Sequence, residues 1–329
     1  MRLILLIVLV LNIQIYAIAQ GSGYHKIYNY NDGLAKVELN GLYGMIDSNG
    51  NEILPPKYDV IQSFIDNRAE VSINKLWGIV DKQGHEIVPV IYEKIGFFDN
   101  HRAKVTKNGK LGVISWDGKI IVETKYDDIN YINATHAKVS LDGKWGLINR
   151  EGGLITPLKY DKIGAFINST TRVSLDGKWG VINLEGNELI PPLYNNLDNL
   201  VTGGYKMEKE GKWGLINESY QVVVAPQYSK IGAFQNGIAR VTEYGKIGLL
   251  EISGNVFVQP KYDQIVESLS VGYRVELDGL WGLLNNQGQV LAAPKYDKIK
   301  AFVDGKAKVS VHGKWGIIDK TGKEIVRVD

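Results

Sequence analysis

Apolar and polar residues alternate in short runs along this chain, with a period of two rather than 3.6. Ala137-Lys138-Val139 and Ala307-Lys308-Val309 each read apolar, charged, apolar, the pattern of a strand with one buried face. Asp142-Gly143, Asp176-Gly177 and Asp278-Gly279 stand between two such runs. Asp-Gly is the preferred pair for a two-residue type I′ hairpin turn, because both central residues take positive φ. A strand such as Lys144 to Asn149 follows. The next glycine (Gly50, Gly84, Gly118, Gly152, Gly186, Gly254, Gly288 or Gly322) fits a hairpin loop that needs one left-handed residue. A short strand such as Glu324-Ile325-Val326 comes next. Proline then predicts an end to ladder pairing at Pro56, Pro89, Pro157, Pro191, Pro226, Pro260 and Pro294. No stretch carries a helical pattern, so the chain reads as all-β.

These elements recur. An apolar-Gly dipeptide appears at Tyr43-Gly44, Trp77-Gly78, Leu111-Gly112, Trp145-Gly146, Trp179-Gly180, Trp213-Gly214, Ile247-Gly248, Trp281-Gly282 and Trp315-Gly316, every step being 34 residues. A second marker keeps the same period: Tyr24, Tyr58, Tyr92, Tyr126, Tyr160, Tyr194, Tyr228, Tyr262 and Tyr296. From Tyr24 to Asp329 the chain divides into nine units of 34 residues: 24–57, 58–91, 92–125, 126–159, 160–193, 194–227, 228–261, 262–295 and 296–329. They leave no room for a separate catalytic domain. A single unit offers too few large apolar side chains to offset the ordering of its backbone; Tyr160, Ile163, Phe166, Val173, Trp179, Ile182 and Leu189 are the main ones of the unit at 160–193. Stability is therefore expected from stacking of neighbours, as in other repeat proteins.

Lys-Trp-Gly, an aliphatic pair, Asp or Asn, then Gly, Glu, Ile-Val, Pro and Tyr-Asp together resemble the bacterial WG-repeat (KWG-repeat) family. The resemblance covers Tyr24 to Asp329. It departs at Tyr43, Leu111 and Ile247, where the Trp is replaced, and at Tyr220, where the loop glycine is lost. It implies an exported or envelope-associated repeat protein and carries over no catalytic residue. The expected architecture is a tandem-repeat β-hairpin solenoid or superhelix of three-stranded units. A closed toroid or β-propeller is the alternative, since a blade has four strands. Tyr and Ile of the Tyr-Asp-x-Ile segment lie three apart and cannot share one face of a regular strand. A bend is expected there rather than a fourth ladder strand. Bulk without a π-face at Leu111 and Ile247 points to a core role for the Trp positions, and the Tyr ladder reads the same way. The glycine after each Trp points to close backbone approach between units.

Arg2, the apolar run Leu3 to Leu11 and Ala17-Ile18-Ala19 form a signal-peptide pattern, with cleavage expected after Ala19 and a short lead at residues 20–23. Asn12 and Gln14 interrupt the apolar stretch, which argues against a membrane-spanning segment; no span is expected after cleavage. No cysteine is present, which removes disulfides, thiolate metal sites and a lipidated junction. Lys and Arg number 38 against 36 Asp and Glu, leaving no basic footprint for nucleic acid.

No catalytic, metal or cofactor site is predicted. His25, His85, His101, His136 and His312 occupy five different phases with no ligand spacing. Asp59, Asp127, Asp161, Asp263 and Asp297 all follow the ladder Tyr, where a turn or an ion pair with a nearby Lys is the ordinary role. The remaining signal is aromatic residues that break phase. Trp116 stands in a hairpin loop, Tyr244 in the turn before a Gly-bearing strand, and Phe97 and Tyr131 at one linker phase. Each is either a partner contact or a cap on a hydrophobic neighbour. The functional expectation is a non-catalytic exported scaffold, periplasmic, cell-surface or secreted, that binds a protein or glycan partner. A purely structural envelope protein is the alternative, and a glycan-acting enzyme the third reading.

Overall fold

A computed structural model describes residues 23–200, 203–268 and 271–328. The segment read as a signal peptide, and most of the lead after it, lie outside the described residues. The described chain contains strands and no helix, and none of it is a helix long and apolar enough to cross a membrane. It falls into two compact units, one ending at Phe166 and including 184–186, the other formed by 167–183 and everything from Asn187 onward.

Nine antiparallel sheets follow one another in chain order, and each is a meander. In the second sheet Val60–Ile61 pairs with Arg68–Ile73, which pairs with Leu76–Asp81, which pairs with Glu86–Tyr92. The first of these strands corrects the three-stranded expectation. The chain does bend at Asp59, but the two residues after the bend open the next sheet: Val60 faces Ser72 and Ile61 faces Val71. The ladder Tyr is thus the last residue of one sheet, and the Ile three residues on belongs to the next. The fourth sheet, Asp128–Tyr131, His136–Leu141 and Lys144–Asn149, has three strands. Two isolated pairings, Trp145 with Tyr160 and Ile148 with Leu154, hold the place of its fourth. There the buried Thr156 hydroxyl accepts the Leu147 N–H at 2.9 Å, in place of ladder pairing.

The two repeat markers turn out to be cross-strand partners. Trp77 faces Tyr92, Leu111 faces Tyr126, Trp179 faces Tyr194, Trp213 faces Tyr228, Ile247 faces Tyr262 and Trp281 faces Tyr296. Between the Tyr92 pair and the next pair, Ile79 with Val88, a single glycine opposes three residues that begin with Pro89. Proline is therefore accommodated in a bulge rather than ending the pairing, which resumes at the Tyr; the third sheet makes the same bulge without proline. The bulge also explains the Trp-Gly glycine, and not as close approach between units. A Cβ on Gly78 would stand 2.6 Å from the Val88 carbonyl oxygen of its own sheet, and one on Gly180 2.5 Å from that of Ile190. Approach between sheets falls instead to the loop glycine: a Cβ on Gly118 would lie 2.0 Å from the Ile87 oxygen of the preceding sheet.

The core lies between consecutive sheets. Met45, Leu54 and Tyr58 of the first sheet pack on Ile61, Ala69, Val71 and Val80 of the second. The opposite face of the second then offers Ile79, Val88 and Tyr92 to Ala103, Val105 and Ile114 of the third. The same arrangement joins the third and fourth sheets in the first unit, and the eighth and ninth in the second. Strands such as Leu76–Asp81 are therefore buried on both faces, which explains the apolar pairs after each Gly. The Tyr ladder forms core as expected: Tyr58, Tyr160, Tyr262 and Tyr296 are each at most 2% exposed. The Trp positions form its margin: Trp179, Trp213 and Trp281 are half-buried and pack against core clusters, whereas Trp315 is exposed.

The type I′ turns appear where Asp-Gly predicted them, with φ of 52° and 76° at Asp142 and Gly143. A second tight turn of the same kind precedes the second strand, where Asp66 and Asn67 form one at φ 48° and 64°. Asn236-Gly237 and Asp304-Gly305 signalled it in the sequence. In the second sheet Lys75 takes the place that glycine holds in the other turns before the third strand, at φ 66°. Lys75→Gly is accordingly expected to raise stability by about 1 kcal/mol, read as a higher urea midpoint.

Candidate functional site

Each aspartate after the ladder Tyr sits at the bend between sheets. Asp127 accepts the turn N–H of Asp142 at 2.7 Å and pairs with Lys110. Asp263 repeats the arrangement, accepting from Asp278 at 2.8 Å and pairing with Lys246 at 2.6 Å. The Lys110 ammonium first, and then the turn N–H, hold the Asp127 carboxyl below its ordinary value of 3.8. A depressed carboxyl contributes stability above its ordinary pKa and loses it as pH falls through the folded value. The urea-midpoint difference between wild type and Asp127→Asn is therefore expected at neutral pH, and to shrink as pH falls below the ordinary carboxyl value through the depressed folded one.

A second periodic device joins neighbouring sheets. In four of the sheets the cation at the centre of the second strand reaches a backbone carbonyl at the first strand of the next sheet. Lys104 donates to the Ile129 oxygen, and Lys138 to those of Ile163 and Gly164 at 3.1 Å each. In the second unit Arg172 donates to Leu197 at 2.7 Å and Arg274 to Ile299 at 3.2 Å. On the way several of these cations lie over the marker aromatic ring, as Lys138 does over Trp145 at 5.8 Å and Arg172 over Trp179 at 5.5 Å. The exposed face of these Trp rings is thus occupied by the protein's own cations. The second sheet lacks the clip, because Glu70 stands at that phase with its carboxyl pushed up by burial.

Against this regular background the phase-breaking aromatics separate. Trp116 is half-buried, edge-on to Phe98 at 4.8 Å, with the Arg68 guanidinium 4.5 Å over its ring; it caps its neighbours. Tyr244 is 88% exposed at φ 46°, a left-handed position that favours glycine or asparagine, with only Lys212 near its ring at 5.6 Å. Phe97 is fully exposed and Tyr131 is 51% exposed. These last two are brought together as walls of one groove of about 460 Å³ at the junction of the third and fourth sheets. Tyr244 stands apart in the second unit, and Trp116 does not line the groove.

The groove floor comes from residues that the sequence had not marked. Arg102, Lys104 and Arg150 line it, with Asp99 the only acid. Arg102 is held by the Arg150 backbone oxygen, and Lys104 stands 5.1 Å from the centre of the Tyr131 ring. Burial pushes the Tyr131 hydroxyl up; Arg102 opposes that shift and Asp99 adds to it. Grooves recur at the same phase: one around Asn29, Lys36, Phe64 and Lys82, another around Lys230, Ala233, Arg240 and Glu267. In those two, the positions equivalent to Phe97 and Tyr131 are Asn29 and Ser63, and Ala233 and Glu267. The signal available beforehand was the cation that recurs in the second strand, which period-two alternation had absorbed as a solvent-facing position.

A meander of four strands per unit, clipped to its neighbour at one repeating phase, defines a β-repeat scaffold. The chain belongs to the family with the WG containing repeat, whose model matches residues 23–43, 43–77, 77–110, 112–145, 145–179, 179–212, 213–246 and 281–315. The longest stretch left unmatched within the repeats, 247–280, begins at Ile247 in the Trp position. Among solved structures, the chain is similar to the extracellular domain of a hybrid two-component system from B. thetaiotaomicron, at 10% identity over 93% of this chain and 52% of that one, with a TM-score of 0.33. It is also similar to PorZ, a surface component of the type-IX secretion system of Porphyromonas gingivalis, at 11% identity over the same shares and a TM-score of 0.24. A eukaryotic initiation factor matches at 11% identity over 90% of this chain and 95% of that one, with a TM-score of 0.26. The chain spans about half the length of the first two. No curated protein matches the sequence.

Proposed function

We propose that this chain is a non-catalytic, exported repeat scaffold that binds a protein or glycan partner, and that the groove walled by Phe97 and Tyr131 is a contact site. The observation that carries the reading is the pairing of a fully exposed Phe97 with a half-exposed Tyr131 over three cations. Exposed aromatic side chains with nothing to cap are the usual anchors of a recognition surface. Most shifted carboxylates suit a non-catalytic role: Asp47, Asp81, Asp127, Asp263 and Asp319 are lowered and engaged as caps of turns or in ion pairs, whereas Glu70 is raised by burial alone and does not line the groove. A general acid needs the opposite shift. Export rests on residues 1–19 and places the partner at the envelope or outside the cell.

The test is the chain without residues 1–19, labelled and applied to a glycan array and to immobilised envelope proteins. Retention of a defined ligand supports the reading. A purified protein that retains none but turns over a cell-wall glycan contradicts it.

A further inference from the structure

Resting on the reading above, we propose that the groove between the third and fourth sheets takes an anionic sugar unit, its ring against the aromatic walls and its carboxylate on the basic lining. Charge supplies the first argument. Arg102, Lys104 and Arg150 face a single acid, Asp99, in a chain whose basic and acidic residues otherwise nearly cancel. Two of the cations are tied to backbone oxygens, Arg102 to that of Arg150 and Lys104 to that of Ile129, so a ligand meets them already ordered.

The walls supply the second argument. Phe97 presents its whole surface to solvent and Tyr131 about half of its own. An aromatic face suits the C–H face of a sugar ring, and the volume of about 460 Å³ lies in the range of small-molecule sites.

The backbone supplies the third argument, and it separates a sugar from an extended peptide. Peptides that add a strand use free N–H and C=O groups on a sheet edge. Here Gly96 N–H is given to Lys104, Asp99 and Arg102 exchange both their backbone bonds, and Ile132 and Asn133 give theirs to His136. The groove offers a ligand side chains rather than a ladder. Grooves recur at this phase around Lys36 and Lys82 and again around Lys230 and Arg240. Those lack the aromatic pair and serve as internal controls.

The experiment measures binding of the full chain to polygalacturonate, to neutral dextran and to poly-glutamate by calorimetry at low and moderate salt. Polygalacturonate is expected to bind, and to weaken as salt rises. Phe97→Ala and Tyr131→Ala are each expected to weaken it about tenfold with no change in melting temperature, and dextran to bind at least about tenfold less. Polygalacturonate that fails to bind, or binds equally to Phe97→Ala, overturns the assignment. Poly-glutamate that binds as tightly, and is lost in the same variants, also overturns the sugar assignment while leaving the groove as a partner site. If no probe binds and no array ligand responds to the two variants, the sugar assignment and the contact site fall together.

Discussion

Replacing Gly118 by alanine is expected to cost about 3–5 kcal/mol, whereas Gly143→Ala costs about 1–2 kcal/mol. Both glycines hold left-handed backbone, at φ 82° and 76°, so the conformational penalty is common to the two. Their surroundings differ. A Cβ on Gly118 would stand 2.0 Å from the Ile87 carbonyl oxygen of the preceding sheet, whereas one on Gly143 meets nothing within 4 Å. That oxygen belongs to the fourth strand Glu86–Tyr92 and cannot move without disturbing the pairing of Ile79 with Val88. The excess loss in Gly118→Ala therefore measures close approach between the second and third sheets. Urea denaturation of both variants checks it, and equal losses would show that the loop glycine serves its own turn alone.

The second large effect concerns the Tyr ladder. Tyr126→Ala is expected to cost about 3–5 kcal/mol, and Trp145→Leu about 1 kcal/mol or less. Tyr126 is 2% exposed and packs with Val113 and Val122 of its own sheet against Ile129, Ala137, Val139 and Ile148 of the next. Removing it opens a cavity at a junction that two sheets share. Trp145 is half-buried under Lys138, and Leu111 already stands at its phase one repeat earlier. Urea midpoints for the two variants test the order; a larger loss for Trp145→Leu would return the Trp to the core.

That reversal marks how much the sequence disclosed. The period of 34, the all-β class and the type I′ turns were legible because each depends on local chemistry: alternation, Asp-Gly pairs and spacing. The fourth strand was not, because it is two residues long and follows a bend at Asp59 that carries the chain into another sheet. The Trp was overvalued for a related reason. Recurrence shows that a position matters to the repeat, but burial depends on what lies across the sheet, and there Lys138 and its equivalents cover the ring. Proline at Pro89 implied an end to pairing, and only the register shows a bulge with Tyr92 beyond it.

The groove was half legible. Phe97 and Tyr131 stood out because the repeat places small or polar residues at most equivalent positions. Arg102, Lys104 and Arg150 did not, since they come from a second strand and from a loop in the following repeat. Trp116 broke phase just as visibly and proved to be a cap on Phe98. Departure from the repeat identifies candidates, and exposure sorts them.

The repeats build a scaffold, and the proposed contact site rests on the departures at Phe97 and Tyr131. The most direct measurement is the double variant Phe97→Ala/Tyr131→Ala, which restores a repeat-like residue at both positions, assayed for melting and for binding to a ligand that the wild type retains. Unchanged melting with binding lost at least about tenfold is the predicted result. Unchanged binding, or a collapse of melting, would contradict it.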